Sequence, residues 1–280
     1  MKTSLLAFVM ILLNTTLLAQ TDNDIYLLVR ADDIGSFHAA NEACISSYQN
    51  GIARSVEIMA PCAWFLEAAQ MLNENPGFDA GVHLTLTCEW DHIKWRPLTH
   101  CPTLVDKDGY FFPKVRKTEG YPANSSIQES NWSLAEIEQE LRAQIEISLK
   151  HIPHISHLSS HMGFEGLDPK IGEIVKKLAN EYHLEADLTG VKRFSGWGRD
   201  VSYEERINRF CENIEKLTPG KYLFVEHPGK DSPEMKKVGH SGYENVAGDR
   251  EWVTRVFTSE KVKQIIQKKG IKLISYKDLK

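Results

Sequence analysis

The chain has 280 residues, of which 42% are hydrophobic and 25% are charged, and its formal net charge is −5. This length suits one large domain or two small ones, and the composition is typical of a globular protein. The acidic balance argues against a nucleic-acid-binding protein, because such proteins present a basic face to the phosphates.

The first residues have the pattern of a secretory signal peptide. Lys2 makes the start positive, residues 5–13 are almost wholly apolar, and Ala19 stands before a plausible cleavage site. A membrane anchor is the alternative, but the apolar run is shorter than the roughly 20 residues that a spanning helix needs. We therefore expect residues 1–19 to be removed, and residues 20–280 to form a periplasmic or secreted domain without a stable membrane anchor.

The five cysteines leave at least one thiol unpaired. No two of them have the Cys-x-x-Cys spacing, so we do not expect a structural zinc knot. A disulfide between Cys88 and Cys101 after export and a set of buried free thiols are both open.

Segments with strand and helix patterns alternate along the chain. The predicted strands cover residues 24–29, 55–59, 79–87, 154–161, 184–188, 221–226 and 271–275. The predicted helices cover residues 36–50, 63–73, 203–217 and 259–268, and two more begin at Ser133 and Asp168. This alternation indicates an α/β fold around a parallel sheet, and we expect a distorted or incomplete (β/α) TIM-like barrel.

Residues 88–130 have no clear periodicity and are rich in Trp, Pro, Gly and Asn. A connection of this length is unusual and predicts a lid or a binding loop. Trp90 and Trp95 lie in it and are candidates for stacking on sugar rings, although packing in the core is the alternative for each. Arg30 and Arg250 are further candidates for substrate binding; Arg30 shares the strand face of Asp32 and could instead steady that carboxylate.

Side chains that bind metals recur where predicted strands end. They are Asp32, Asp33, His83, His157, His161, Glu226 and His227. In parallel α/β folds the active site lies at this edge. One Asp and two His suit a hydrolytic metal ion, because three protein ligands leave coordination open for water and substrate.

The roles within this set have alternatives. Asp32 and Asp33 can supply a ligand and a general base, but Asp32 could instead orient a ligand histidine. His161 lies nearer the strand end than His157 and is the better ligand. His227 could protonate the leaving amine or simply form the turn before Pro228.

Four segments, in order, resemble the YdjC-like carbohydrate deacetylase family. Residues 30–35 resemble its Asn-Ala-Asp-Asp-Phe-Gly segment, and residues 81–87 its Gly-x-His-x-x-Leu-Thr segment. Residues 156–161 resemble its Thr-His-Leu-Asp-Ser-His segment, and residues 226–229 contain its His-Pro-Gly. Residues 270–279 also look like the C-terminus of that family.

The resemblance implies a metal-dependent hydrolase that removes N-acetyl groups from amino-sugar oligosaccharides or glycans. It implies one divalent ion, Mg²⁺ or Zn²⁺, on Asp33, His83 and His161, with Asp32 as the catalytic base. It also implies a homodimer as a candidate assembly. The chain departs from the family pattern at Arg30, which replaces Asn, at Ser159, which replaces Asp, and at residues 162–164, which replace a His-rich continuation.

Two other functions are open. One is a metal-dependent glycan or phosphoester hydrolase on the same barrel, and the other is a glycan-binding protein with a relic site. The adjacent carboxylates of Asp32 and Asp33 argue against a relic, because sugar binding alone would not require Asp32.

Overall fold

The computed structural model describes residues 23–198 and 201–279. The predicted signal peptide, residues 1–19, lies outside these residues. No helix in the described part is long and apolar enough to cross a membrane.

Among these residues, seven strands form one parallel sheet. They are β1 (Ile25–Ile34), β2 (Ser55–Ile58), β3 (Asp79–Leu84), β4 (His157–Ser160), β5 (Val191–Arg193), β6 (Gly220–Glu226) and β7 (Lys272–Ile274). Their order is β4-β3-β2-β1-β6-β5, and β7 pairs with the first half of β1 beside residues 26–28. Within the described residues β4 and β5 are unpaired edges, so the sheet is open. The α/β class is confirmed, and the incomplete barrel stays a prediction.

In the part of the chain that the structure describes, seven α-helices connect the strands. They are α1 (His38–Gln49), α2 (Phe65–Glu74), α3 (Leu134–His151), α4 (Pro169–Tyr182), α5 (Arg206–Glu215), α6 (Val246–Thr258) and α7 (Glu260–Lys268). Two of them begin at predicted caps: Ser133 accepts a hydrogen bond from the Glu136 amide, and Asp168 accepts one from the Lys170 amide. These interactions satisfy amides that the first helical turn leaves unpaired.

Apart from the bounds of single elements, such as β1, which was predicted to end at residue 29 and continues to Ile34, the structure differs from the predicted elements in two places. Residues 184–188 are not a strand; the short strand β5 forms three residues later, where residues 191–193 pair with β6. Helix α6 has no counterpart among the predicted elements, because Gly248 and the β-branched residues Val253 and Thr254 give it low intrinsic helix propensity. Residues 88–130 contain only two short 3₁₀ helices, which agrees with the predicted irregular segment.

Strand β1 ends in a bulge that decides where the site lies. Its pairing with β2 runs Arg30–Ser55 and Ala31–Val56 but then Ile34–Ile58, so β1 has one extra residue. The extra residue falls beside Asp33, whose φ of 73° is in the left-handed region. The bulge interrupts the strict alternation of β1, and both Asp32 and Asp33 are directed towards the carboxyl edge of the sheet.

All five cysteines are free and buried, so the structure contains no Cys88–Cys101 disulfide. Burial raises the pKa of every one of these thiols, that of Cys88 and Cys101 to about 12. They are packed among the apolar side chains of the core and act there as small hydrophobic residues.

Candidate metal centre

Asp33, His83 and His161 meet at the carboxyl edge of the sheet. Each offers one ligand atom, and these atoms lie within 4.8 Å of one another. Asp33 Oδ1 is 3.7 Å from His83 Nε2 and 3.7 Å from His161 Nδ1. All three side chains are buried, and the two imidazole rings are nearly perpendicular at 76°. The three come from the ends of β1, β3 and β4.

The turn after β1 holds Asp33 in its left-handed conformation. The Ser36 hydroxyl donates to the Asp33 carbonyl at 2.5 Å, and the Gly35 amide donates to Asn41 Oδ1 at 2.6 Å. Gly35 has a φ of +96°, and a Cβ there would lie 3.1 Å from the Met59 carbonyl oxygen. Glycine is therefore required where the chain turns from β1 into α1.

Asp33 is ionised and is held on one side by an arginine. Arg250 Nη2 donates to Asp33 Oδ2 at 2.8 Å. Burial opposes the charged form, but His227, Arg250, His161 and His83 together lower the pKa of Asp33 far below its usual range. The other oxygen, Asp33 Oδ1, is buried without a hydrogen-bond partner and faces the two histidines.

The two histidines have opposite pKa shifts. Burial and the neighbouring His161 lower the pKa of His83 to about 3, so its ring is neutral at neutral pH. Burial also lowers the pKa of His161, but Glu89, whose Oε2 lies 3.0 Å from His161 Nε2, outweighs this effect and raises it. Because the Glu89 carboxylate accepts a hydrogen bond from His161 Nε2, the other ring nitrogen, Nδ1, is the one that faces Asp33.

These residues fit a divalent cation. A buried, ionised carboxylate oxygen without a partner, surrounded by two imidazole nitrogens, is a donor set that binds Zn²⁺ and leaves further positions open. Two imidazoles favour Zn²⁺ over Mg²⁺, which prefers oxygen ligands.

Asp32 lies beside the cluster and is held by Arg30. The Arg30 guanidinium contacts both oxygens of Asp32, at 2.7 and 2.8 Å, and also donates to the Tyr276 hydroxyl at 3.0 Å. Asp32 Oδ2 is 3.8 Å from His83 Nε2. Arg30 therefore contacts Asp32 and also lines the cavity described next, so its role in substrate binding stays a prediction.

A cavity of about 420 Å³ opens in front of the cluster. Its wall includes Arg30, Asp32, His83, Glu89, Trp90, Lys114, His161, Arg193, His227, His240, Tyr243 and Arg250. His227 is thus on the same cavity as Asp32, and its side chain is 40% exposed. Burial lowers the pKa of His227, but Asp33 and Glu226 outweigh this effect and raise the pKa to about 9.

The substrate-binding candidates have different positions. Trp90 lines the cavity, although only 2% of it is exposed, and the Arg250 guanidinium lies 5.3 Å from the centre of its ring. Arg250 lines the cavity too but is engaged with Asp33. Trp95 belongs to the core instead: its indole N–H donates to the Thr87 carbonyl at 3.0 Å, and its ring packs against Phe37.

Two buried carboxylates of the site were missed by sequence reasoning. Glu89 binds His161, and Glu57 lies behind His83, where it contacts Ser159 and His157. A signal for Glu57 was present, because a carboxylate between Val56 and Ile58 in a strand covered on both faces has to be paired. Glu89 lies in the irregular segment, where no periodic pattern marks it.

Comparisons with known proteins agree with this fold and show the family. A carbohydrate deacetylase of Thermus thermophilus is 30% identical over 241 residues, which cover 76% of this chain and 80% of the relative. Carbohydrate deacetylase 1 of Listeria innocua is 27% identical over 265 residues, which cover 90% and 99%. The crystal structure of an Enterococcus faecalis protein named for cellobiose-phosphate cleavage shares the fold, with a TM-score of 0.71 at 22% identity over 92% of this chain and 99% of that one. Residues 26–268 match the family described as YdjC-like protein, and the chain belongs to that family.

Proposed function

We propose that the protein is a metal-dependent hydrolase that removes N-acetyl groups from amino-sugar oligosaccharides or glycans. The observation that carries this proposal is the unpartnered oxygen of Asp33 between His83 and His161, at 3.7 Å from each ring. Relatives named carbohydrate deacetylase over most of the chain support an acetylated carbohydrate as the substrate.

The proposal assigns a side chain of the cavity to each part of the reaction. When bound, the ion on Asp33, His83 and His161 supplies Lewis acidity for the amide carbonyl and lowers the pKa of water. Asp32, which Arg30 orients through two contacts, accepts the proton of the attacking water. His227, whose pKa is raised, donates a proton to the leaving amine nitrogen across the cavity.

The cavity suits a polar sugar. Its wall includes Lys114, Arg193 and Tyr243, whose polar groups can form hydrogen bonds with the hydroxyls of a pyranose. Its volume of about 420 Å³ accommodates a sugar with its N-acetyl group beside the ligand cluster.

The test combines metal analysis with product analysis. Wild-type protein is incubated with chito-oligosaccharides and with acetylated envelope glycans, and acetate, reducing ends and inorganic phosphate are measured. We expect acetate alone, and we expect Asp33→Ala and His83→Ala to lose both the bound metal and acetate release. Unchanged turnover in either variant would overturn the proposal.

The alternative functions predict other products. Reducing ends or phosphate would indicate a glycan or phosphoester hydrolase. Sugar binding that persists after chelation, without any product, would indicate a binding protein with a relic site. Asp32→Asn separates catalysis from metal binding, because we expect it to keep the ion and lose acetate release.

We also propose export by way of the signal peptide at residues 1–19, with envelope or environmental glycans as the substrates. N-terminal sequencing of the protein from periplasm or culture fluid is expected to start at Gln20. Recovery of the full-length chain in the cytoplasm alone would contradict this. Light scattering of the purified protein tests the homodimer.

A further inference from the structure

A chain of hydrogen bonds lies behind His83, at the ring nitrogen opposite the one that faces Asp33. His83 Nδ1 is 2.7 Å from Ser159 Oγ, and the Ser159 hydroxyl donates to Glu57 Oε2 at 2.5 Å. The three residues lie on the adjacent strands β3, β4 and β2. Glu57 is completely buried and His83 is 2% exposed, while Ser159 between them is partly buried.

The donors and acceptors in this chain determine the tautomer of His83. An ionised carboxylate only accepts hydrogen bonds, so the proton of the Ser159 hydroxyl is directed to Glu57. The Ser159 oxygen can then only accept from His83, which must carry its proton on Nδ1. In the neutral ring this leaves Nε2 with a free lone pair, directed at the space beside Asp33 Oδ1.

Glu57 is itself held firmly in place. His157 Nε2 donates to Glu57 Oε1 at 2.6 Å, and Arg30 Nε lies 3.9 Å from the same oxygen. Burial opposes its charged form, but His157 and Arg30 together lower the pKa of Glu57. Glu57 therefore contacts Ser159, which contacts the proposed ligand His83. It also lies near Arg30, which contacts the proposed base Asp32.

The neighbouring strand leaves just enough room for this carboxylate. Gly81 on β3 pairs with Glu57 on one side and with His157 on the other. A Cβ at Gly81 would lie 2.6 Å from Glu57 Oε2 and closer still to His157 Nε2. No residue with a side chain fits there without displacing the carboxylate that Ser159 contacts.

We propose that Glu57 is a positioning residue that acts through Ser159 to fix the tautomer and orientation of His83 for metal binding. This inference rests on the proposed metal site. Groups that orient a ligand histidine through its other ring nitrogen contribute about 10- to 100-fold to metal affinity. The Glu57 carboxylate does not contact His83 directly. It accepts the proton of the Ser159 hydroxyl, and the serine oxygen can then only accept a hydrogen bond from the imidazole.

The test measures Zn²⁺ affinity of the full chain by competition with a chromophoric chelator. We expect Glu57→Gln and Ser159→Ala each to weaken zinc binding about 10- to 100-fold. Ser159→Asp is the informative change. With Glu57 present it places two carboxylates side by side and weakens binding. Combined with Glu57→Gln it lets the introduced carboxylate accept directly from His83 while the new amide donates to that carboxylate, so affinity returns towards wild type.

A matched control and a measure of folding complete the experiment. Glu140→Gln removes another fully buried carboxylate, one that accepts from the amides of Leu98 and Thr99, and we expect zinc affinity to be unchanged. Thermal unfolding with chelator present reports on the fold separately. If Glu57→Gln lowers the folded fraction, Ser159→Ala tests the same link by removing a single hydroxyl.

The outcomes distinguish this inference from the proposed function. Zinc binding by wild type with the same affinity in Glu57→Gln would overturn the inference alone. The inference would also be overturned if Ser159→Asp changed zinc affinity equally with Glu57 present and with Glu57→Gln. A hydrogen-bonded link predicts weaker binding in the first case and restored binding in the second. Failure of the wild-type protein to bind zinc would overturn the proposed function and the inference together.

Discussion

Arg250 Nη2 donates to one oxygen of Asp33 at 2.8 Å, and the other oxygen of the same carboxylate has no hydrogen-bond partner. Both side chains are 3% exposed, so the pair is shielded from solvent. His227 and Arg250 together keep Asp33 ionised in the metal-free protein, while the second oxygen stays available between His83 and His161.

Arg250→Gln should destabilise the metal-free protein by about 3 kcal/mol, because it leaves a buried carboxylate without its cation. Zn²⁺ should restore more stability to this variant than to wild type, since the ion supplies the missing positive charge. Urea unfolding with chelator and with zinc measures both effects. Arg255→Gln is the control: that side chain is 54% exposed and pairs with Glu251, so we expect a loss below about 1 kcal/mol. Equal losses in the two variants would contradict the prediction.

The pKa of His227 should fall when metal binds. Asp33 is the main group that raises it, to about 9 in the metal-free protein, and a cation on Asp33 cancels that attraction. Ring titrations by NMR, with chelator and with Zn²⁺, measure the shift, and a His227→Gln sample assigns the signal. An identical or higher pKa with zinc would show that the ion does not bind beside Asp33.

The same raised pKa predicts how His227 affects stability with pH. A histidine whose folded-state pKa lies above its unfolded value of about 6.5 contributes stability that is fully present below that pH. The contribution is lost as the pH rises through about 9. In the metal-free protein His227→Gln should therefore lower the free energy of unfolding more at pH 6 than at pH 10. A loss that grows with pH would have the wrong sign.

Glu89→Gln should weaken zinc binding, and the loss should be smaller at acidic pH. Glu89 directs His161 through Nε2, so its removal frees the ring and costs about tenfold in affinity. Glu89 also raises the pKa of His161, so the variant ring holds its competing proton less tightly as the pH falls. Zinc dissociation constants at pH 6 and pH 8 test this. A loss that is larger at pH 6 would contradict it.

Two glycine substitutions should have opposite effects on stability. Gly81→Ala puts a Cβ 2.6 Å from Glu57 Oε2 and should cost about 1–3 kcal/mol and weaken zinc binding. Gly172 lies in α4, and a Cβ there would meet nothing closer than 3.8 Å, so Gly172→Ala should stabilise by about 0.4–1 kcal/mol. Denaturant unfolding of both variants compares them. A neutral Gly81→Ala would show that the space around Glu57 is less constrained than its contacts imply.

The position of Asp33, His83 and His161 at one edge of the sheet was predictable because each lies near the end of a parallel strand. Their selection as a set of three followed only from the family resemblance. Their roles as ligands stay predictions, as do those of Asp32 and His227. The periodicity of the sequence does not predict the bulge at Asp33, because the bulge comes from one extra residue and a left-handed φ. The bulge brings the adjacent carboxylates of Asp32 and Asp33 to one site.

The residues that contact the candidate ligands from behind were harder to predict, because their contacts join segments that are distant in the sequence. Glu57 reaches Ser159 and His157 across about a hundred residues, and only strand order brings them together. The strand β5 was misplaced for a related reason. It has three residues, and pairing with β6 rather than its own pattern makes it a strand.

The five buried thiols provide an internal set of probes for motion. A reagent that attacks cysteine reaches each of them only when the surrounding core opens, since all five are buried and free. Cys44 lies on α1 and Cys211 on α5, while Cys62, Cys88 and Cys101 lie in the connections after β2 and β3. Labelling rates under native conditions therefore convert, cysteine by cysteine, into local opening free energies at five separate positions of the fold.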